Sequence, residues 1–233
     1  MKKKIALAGA IAFLILFLAF TVLVITVDIQ PIGPNGSEVG LATINGAVAD
    51  VFEYNDTWYT ISEYAGYIAL AIVPCFACLG LFQAIKRKSI AKVDRQLFIL
   101  ASFYALVACT YVFFELITVN YRPILINGEL EASFPSSHTM LSLCITSTTV
   151  IMLHALLKNR KTLLIVADVL CIAVGATVIL GRLASGVHWL SDIIAGILIS
   201  GALVCFFIFA SLLAKDIAER KQSKQTEENT VND

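Results

Sequence analysis

The chain has 233 residues, of which 58% are hydrophobic and 15% are charged, and its mean hydropathy is +0.84. Seventeen Lys and Arg residues balance seventeen Asp and Glu residues, so the formal net charge is zero. This composition excludes an ordinary soluble domain and indicates a membrane protein.

Six apolar runs are each long enough to cross a bilayer as a helix, which satisfies its own backbone hydrogen bonds. In chain order they are 5–27, 62–85, 97–119, 137–157, 163–181 and 189–213. The predicted fold class is therefore all-α, a polytopic membrane bundle of six transmembrane helices in a single domain over 1–221. The first run is too long for a signal peptide and has no clear cleavage site after it, so we expect a retained anchor.

The positions of the basic residues orient these helices. If six helices alternate in direction, one side carries Arg122 and Arg182, and the other carries the remaining fifteen Lys and Arg residues. The basic side is expected to be the cytoplasm. The sequence thus predicts a multi-pass cell-membrane protein with both termini cytoplasmic and with these two arginines on the outer face.

Two further segments lie outside the apolar runs. The segment 28–61 has no Lys or Arg and is expected to lie over the outer surface, with a short helix around 42–54. It could anchor the protein in the membrane interface or cover a substrate entrance. The polar end, 222–233, is predicted to be a disordered cytoplasmic tail.

The two outward arginines each lie near a histidine, His138 or His188. Cationic side chains at a membrane border are costly unless they hold something anionic. Because arginine forms paired hydrogen bonds with phosphate oxygens, two arginines and two histidines make a chemically sensible phosphate site.

His188 and Asp192 are four residues apart at the start of a predicted helix, which places them on one face. A carboxylate beside an imidazole fixes its tautomer and leaves the other ring nitrogen free to attack. Ser136 or Ser137 can cap the helix that contains His138, and the N-terminus of a helix favours an anion.

Three motifs carry these residues in order: Arg122-Pro123, then Pro135-Ser136-Ser137-His138, then Gly181-Arg182 with His188 and Asp192. This order resembles the signature K-x6-R-P, P-S-G-H and S-R-x5-H-x3-D of the type 2 phosphatidic acid phosphatase superfamily. The motif region spans 115–192, and the six-helix layout extends the resemblance over nearly the whole chain.

Three positions depart from the family pattern. Glu115 stands where the motif has lysine, Ser137 where it has glycine, and Gly181 where it has serine. Glu115 is the serious departure, because a carboxylate does not bind a phosphate dianion directly. It could pair with Arg122 or Arg182, or it could point away from them.

The resemblance implies a bacterial enzyme that hydrolyses a lipid phosphate or pyrophosphate without metal or cofactor, through a phosphohistidine intermediate. His188 would attack phosphorus, Asp192 would hold its ring, and His138 would protonate the leaving oxygen and then activate water. The phosphate-binding groups implied are Arg122, Arg182, Ser136 and the backbone near Ser137.

The expected partner is a lipid phosphate within the membrane, of the undecaprenyl pyrophosphate, phosphatidylglycerol phosphate or phosphatidic acid type, and no nucleic acid. Two alternatives stay open from the sequence. One is a lipid phosphotransferase on the same scaffold, and the other is an inactive membrane protein that binds lipid phosphate, with Glu115 as the mark of lost activity.

Overall fold

A computed structural model describes residues 1–157 and 159–232, with side chains described up to Ser223. The described part of the chain is a succession of helices joined by loops. The helices are α1 (Lys2–Thr26), α2 (Ala42–Ala49), α3 (Asp56–Lys86), α4 (Arg95–Leu116), α5 (Ser137–Leu156), α6 (Lys161–Ala184) and α7 (Leu190–Asn232).

Six of these helices, all except α2, are long and apolar enough to cross a membrane within the described residues. The prediction of an all-α bundle with six transmembrane helices is therefore confirmed. The predicted bounds of the first five runs differ from the helix bounds by at most six residues, as at α3, which begins at Asp56 rather than at 62. The largest difference is at α7, which continues to Asn232 rather than ending at 213. The predicted disordered tail, 222–233, falls mostly outside the residues described in full and stays a prediction.

Helix α5 is at the centre of the bundle and contacts α3, α4, α6 and α7. In the most apolar stretch of α5, half of the residues are buried in the protein. In the corresponding stretch of α1, which packs mainly on α7, 17% of the residues are buried. The hydroxyls of α5 are compatible with this burial because they donate to carbonyls of the preceding turn, as Thr146 does to Ser142 and Thr149 to Ile145. Small hydroxylated residues let helices approach closely in a membrane.

Helix α3 packs against α5 and α6 along a face of small residues. A Cβ atom at Gly181 of α6 would lie 2.8 Å from the Cβ of Ser62, and one at Gly66 would lie 3.2 Å from Cδ2 of His138. The first distance is too short for a Cβ atom, and the second is shorter than an ordinary van der Waals contact, so both positions favour glycine. The glycine that replaces the motif serine at 181 therefore has a packing reason, because α3 occupies the space.

The segment between α1 and α3 is tied to distant parts of the chain. Asn45, on α2, is buried and donates to the carbonyl of Gly40 and to Oγ of Ser191. Its amide oxygen accepts from the backbone N–H of Ser191, 3.1 Å away. The backbone N–H of Asn55 donates to the carbonyl of Ser185. This segment is thus a packed part of the end of the bundle where α7 begins.

Candidate active site

The three motifs meet at one end of the bundle. The loop 117–136 connects α4 to α5, and the backbone N–H of Ser136 donates to the carbonyl of Asp192, 3.0 Å away. The indole N–H of Trp189 donates to the carbonyl of Tyr121, 2.7 Å away. Arg122, His138 and His188 therefore lie together although as many as 66 positions separate them in the chain.

His188 and Asp192 form a buried pair. The Nδ1 atom of His188 lies 3.4 Å from Oδ2 of Asp192, and the two side chains are 1% and 0% exposed. The same carboxylate oxygen accepts from the backbone N–H of Trp189 at 2.9 Å, which fixes its position. The carboxylate thus faces Nδ1, and Nε2 is the ring nitrogen left for chemistry.

Arg122 lies beside that nitrogen. Its Nη1 atom is 3.3 Å from Nε2 of His188 and 3.4 Å from the carbonyl oxygen of Val187. Its Nε atom is 3.1 Å from a carboxylate oxygen of Glu131, which is on the same loop. The backbone N–H of Arg122 also donates to the carbonyl of Glu131 at 3.0 Å, so the loop itself fixes the arginine.

Arg182 is almost fully buried, with 1% of its side chain exposed. Its guanidinium stacks over the ring of Tyr59, 5.0 Å from the centroid, and one Nη atom contacts the carboxylate of Glu63. A buried cation needs such partners because the loss of water is otherwise uncompensated.

His138 is in the first turn of α5, and its Nε2 atom lies 3.6 Å from the Glu63 carboxylate. Ser136 is the residue that caps α5, and its fully buried hydroxyl accepts from the N–H of Thr139. Ser137 is the first helical residue and lines a narrow cleft together with His188. The predicted site residues of this motif thus share one end of the helix.

Glu115 lines the same cleft from the last turn of α4. Among the described residues, the carboxylates that pair with Arg122 and Arg182 are Glu131 and Glu63, respectively. Tyr111, one turn earlier, is the phenol that lies within reach of Glu115. Glu115 therefore faces the site without pairing with either arginine.

The electrostatics of the site favour a neutral His188. Burial, with Arg122 and Arg182 nearby, holds the pKa of His188 well below its usual range. A neutral imidazole keeps the lone pair that a nucleophile needs.

Several buried polar atoms of the site have no hydrogen-bond partner among the described residues. They include Nε of Arg182, Nδ1 of His138 and Oδ1 of Asp192. A buried donor or acceptor without a partner costs free energy, and a catalytic role or a bound group is one reason why a protein retains it.

Sequence reasoning missed Glu63 and Tyr59, which contact the motif residues from α3. The signal was available, because Glu63 is a carboxylate inside a predicted span, and an ionisable residue there indicates function. Asp168, which the motifs leave unexplained, pairs instead with His154, whose Nε2 lies 2.9 Å from Oδ2 of Asp168.

The family model of the PAP2 superfamily matches residues 68–215, which is more than half of the chain. The protein belongs to the PAP2 superfamily and is a multi-pass membrane protein.

The crystal structure of a transmembrane PAP2-type phosphatidylglycerolphosphate phosphatase from Bacillus subtilis has the same fold, with a TM-score of 0.60 at 18% identity. The alignment covers 89% of this chain and 96% of that one. Among curated proteins, no sequence matches this chain.

Proposed function

We propose that this protein is a membrane-embedded, metal-independent phosphatase that hydrolyses a lipid phosphate or pyrophosphate through a phosphohistidine at His188. The observation that carries the proposal is the convergence around Nε2 of His188. Asp192 faces the opposite ring nitrogen, and a guanidinium nitrogen of Arg122 lies 3.3 Å from Nε2.

In the first step, Nε2 of His188 bonds to phosphorus and the bond from phosphorus to the leaving oxygen breaks. His138 gives a proton to that oxygen, and Arg122 and Arg182 bind the phosphoryl oxygens. Phosphoryl transfer depends mainly on positioning and charge, which two arginines in a buried site provide. In the second step, water attacks phosphorus and His138 takes its proton.

The substrate class follows from the position of the site. The residues of the site lie at the ends of membrane-spanning helices, so a lipid can keep its tail in the bilayer while its phosphate reaches the arginines. The proposed candidates are undecaprenyl pyrophosphate, phosphatidylglycerol phosphate and phosphatidic acid. The structurally similar Bacillus subtilis protein, a phosphatidylglycerolphosphate phosphatase, supports a glycerolipid phosphate.

The test is phosphate release from a panel of lipid phosphates by purified protein in EDTA. We expect release by the unchanged chain and no release by His188→Ala. His154→Ala is the matched control, since His154 is half exposed and pairs with Asp168 away from the site. Radiolabelled substrate should leave an acid-labile, base-stable label on the protein, and the label should be absent from His188→Ala.

Three results would contradict the proposal. Transfer of phosphate only when an acceptor lipid is added would indicate a phosphotransferase. Binding of lipid phosphate without release or transfer would indicate an inactive binder. Retained release by His188→Ala would show that the nucleophile is assigned to the wrong residue.

A further inference from the structure

Glu63 lies outside the three motifs, yet it contacts two of them. Its Oε2 atom contacts the guanidinium of Arg182 and lies 3.6 Å from Nε2 of His138. Its Oε1 atom accepts a hydrogen bond from the hydroxyl of Tyr67, 2.7 Å away. Both oxygens of the carboxylate are thus held in position.

The position of this carboxylate is built into the packing of the helices. Glu63 lies between Ser62, which touches Gly181, and Gly66, which lies against the ring of His138. At both contacts a Cβ atom on the glycine would lie closer than an ordinary van der Waals contact, so α3 packs closely against α5 and α6. The side chains of Tyr59 and Glu63 therefore form a wall of the candidate site.

His138 lies among charged groups of both signs. Arg182 on α6 and Arg122 on the loop after α4 both act on His138, and each opposes a positive charge on its ring. His188 adds a further imidazole to the same group. Glu63 on α3 is the carboxylate that faces His138, so it offsets this repulsion whenever the ring is protonated.

We propose that Glu63 is a positioning residue for the proton transfers of His138, as Asp192 is for the attack by His188. The proposal rests on the function proposed above. The site then contains two histidine–carboxylate pairs, one for the nucleophile and one for the acid and base.

The two steps balance around this second pair. As the bond between phosphorus and the lipid oxygen breaks, a proton goes from the imidazolium of His138 to that oxygen. When water then attacks, the bond between phosphorus and His188 breaks, its electron pair returns to Nε2, and the proton of water goes to His138. The Glu63 carboxylate stays ionised and stabilises the imidazolium before the first step and after the second.

The experiment compares two substrates that differ in leaving group. The alkoxide of a lipid alkyl phosphate needs a proton in order to leave, whereas the less basic aryloxide of an aryl phosphate leaves readily without one. For Glu63→Gln we expect kcat/KM to fall about tenfold or more on the alkyl phosphate and less than about threefold on the aryl phosphate. Glu38→Gln, which removes an exposed carboxylate outside the three motifs, should leave both values unchanged.

A double-mutant cycle gives the second measurement. If Glu63 acts through His138, adding Glu63→Gln to His138→Ala should change the alkyl rate by less than about threefold. Folding of each variant is checked by elution volume and Tm in detergent. Tyr67→Phe keeps the Glu63 carboxylate but removes the hydrogen bond to its Oε1 atom. We therefore expect kcat/KM of Tyr67→Phe to fall on the alkyl phosphate only, and by less than for Glu63→Gln.

The outcomes separate the two proposals. Equal losses on both substrates, an additive cycle, or a faster Glu63→Gln enzyme would overturn the role of Glu63 and leave the phosphatase proposal intact. Absence of phosphate release by the unchanged protein on every substrate would overturn the phosphatase proposal and this role with it.

Discussion

The Nη1 atom of Arg122 lies 3.3 Å from Nε2 of His188, so the proposed phosphate ligand and the proposed nucleophile are in contact. The other side of the same guanidinium faces Glu131, with Nε 3.1 Å from its carboxylate. Arg122 thus lies between the proposed nucleophile, His188, and Glu131, which is on the same loop as Arg122. A phosphoryl group bonded to Nε2 of His188 would therefore lie beside this cation.

Arg122→Lys tests whether the shape of the guanidinium matters beyond its charge. Lysine keeps the charge but cannot reach His188 and Glu131 together, so we expect kcat/KM to fall about 100-fold. Phosphate release from a lipid phosphate is the measurement, with Arg160→Lys, an exposed arginine at the opposite helix ends, as the control. Near-normal turnover by Arg122→Lys would mean that only charge is needed there.

Gly181→Ser restores the serine of the family motif, and we expect it to destabilise this protein. The new Cβ would lie 2.8 Å from the Cβ of Ser62, an overlap that costs about 1–3 kcal/mol. Adding Ser62→Gly should recover part of the Tm measured in detergent, because it removes the opposing atom. Gly80→Ala is the control, since its Cβ would meet nothing nearer than 3.9 Å. A stable Gly181→Ser protein would disprove the packing reason given for this glycine.

Asn45→Ala should lower the Tm, because Asn45 connects α2 to Ser191 at the start of α7. The change removes three hydrogen bonds and leaves the N–H and hydroxyl of Ser191 buried without a partner, at about 1–3 kcal/mol for each group. Because Ser191 adjoins Asp192, phosphate release should fall as well. Asn159→Ala, at an exposed turn, should leave the Tm and the phosphate release unchanged.

The buried His188 makes stability depend on pH. Its pKa is lowered in the folded protein, so below about pH 6.5 the unfolded chain binds a proton that the folded chain does not. Stability should therefore decrease as the pH falls from about 6.5 towards the folded pKa, by at most about 1.4 kcal/mol per pH unit. Tm measured from about pH 8 to 5 should fall more steeply for the unchanged chain than for His188→Asn. Parallel curves would show that His188 titrates normally when folded.

The predicted outward orientation of the site can be tested by labelling two introduced cysteines in intact cells. A membrane-impermeant maleimide should label Glu38→Cys and should not label Arg160→Cys until the membrane is opened. The unsubstituted chain measures the background from the six native cysteines. Labelling of Arg160→Cys alone would place the site on the cytoplasmic side.

The helices could be predicted from the sequence because a membrane leaves few alternatives. A segment such as Lys161–Ala184 must satisfy its own backbone hydrogen bonds in lipid, so hydropathy alone identifies it. The motif residues could also be predicted from the sequence, because arginine and histidine at a membrane border are energetically costly and therefore indicate a function.

The partners of the motif residues could not be predicted in the same way. That Glu63 pairs with Arg182, and Glu131 with Arg122, depends on which helix faces cross and on how loop 117–136 folds. Hydropathy does not determine how helices rotate about their axes; small contacts such as Ser62 against Gly181 do. The sequence therefore left the partner of Glu115 open, and the structure places Glu115 in the cleft apart from both arginines.

The hydrogen bonds of the buried Asn45 amide bear on when a newly synthesised chain can complete its candidate active site. It holds Ser191, which is 146 positions later, and Gly40 likewise lies against Asn120. The ribosome synthesises Gly40 and Asn45 long before Asn120 and Ser191. The candidate site of a nascent chain is therefore incomplete until α7 has entered the bilayer. Hydrolysis should therefore begin only after synthesis is complete, and a chain truncated before α7 should leave lipid phosphates intact.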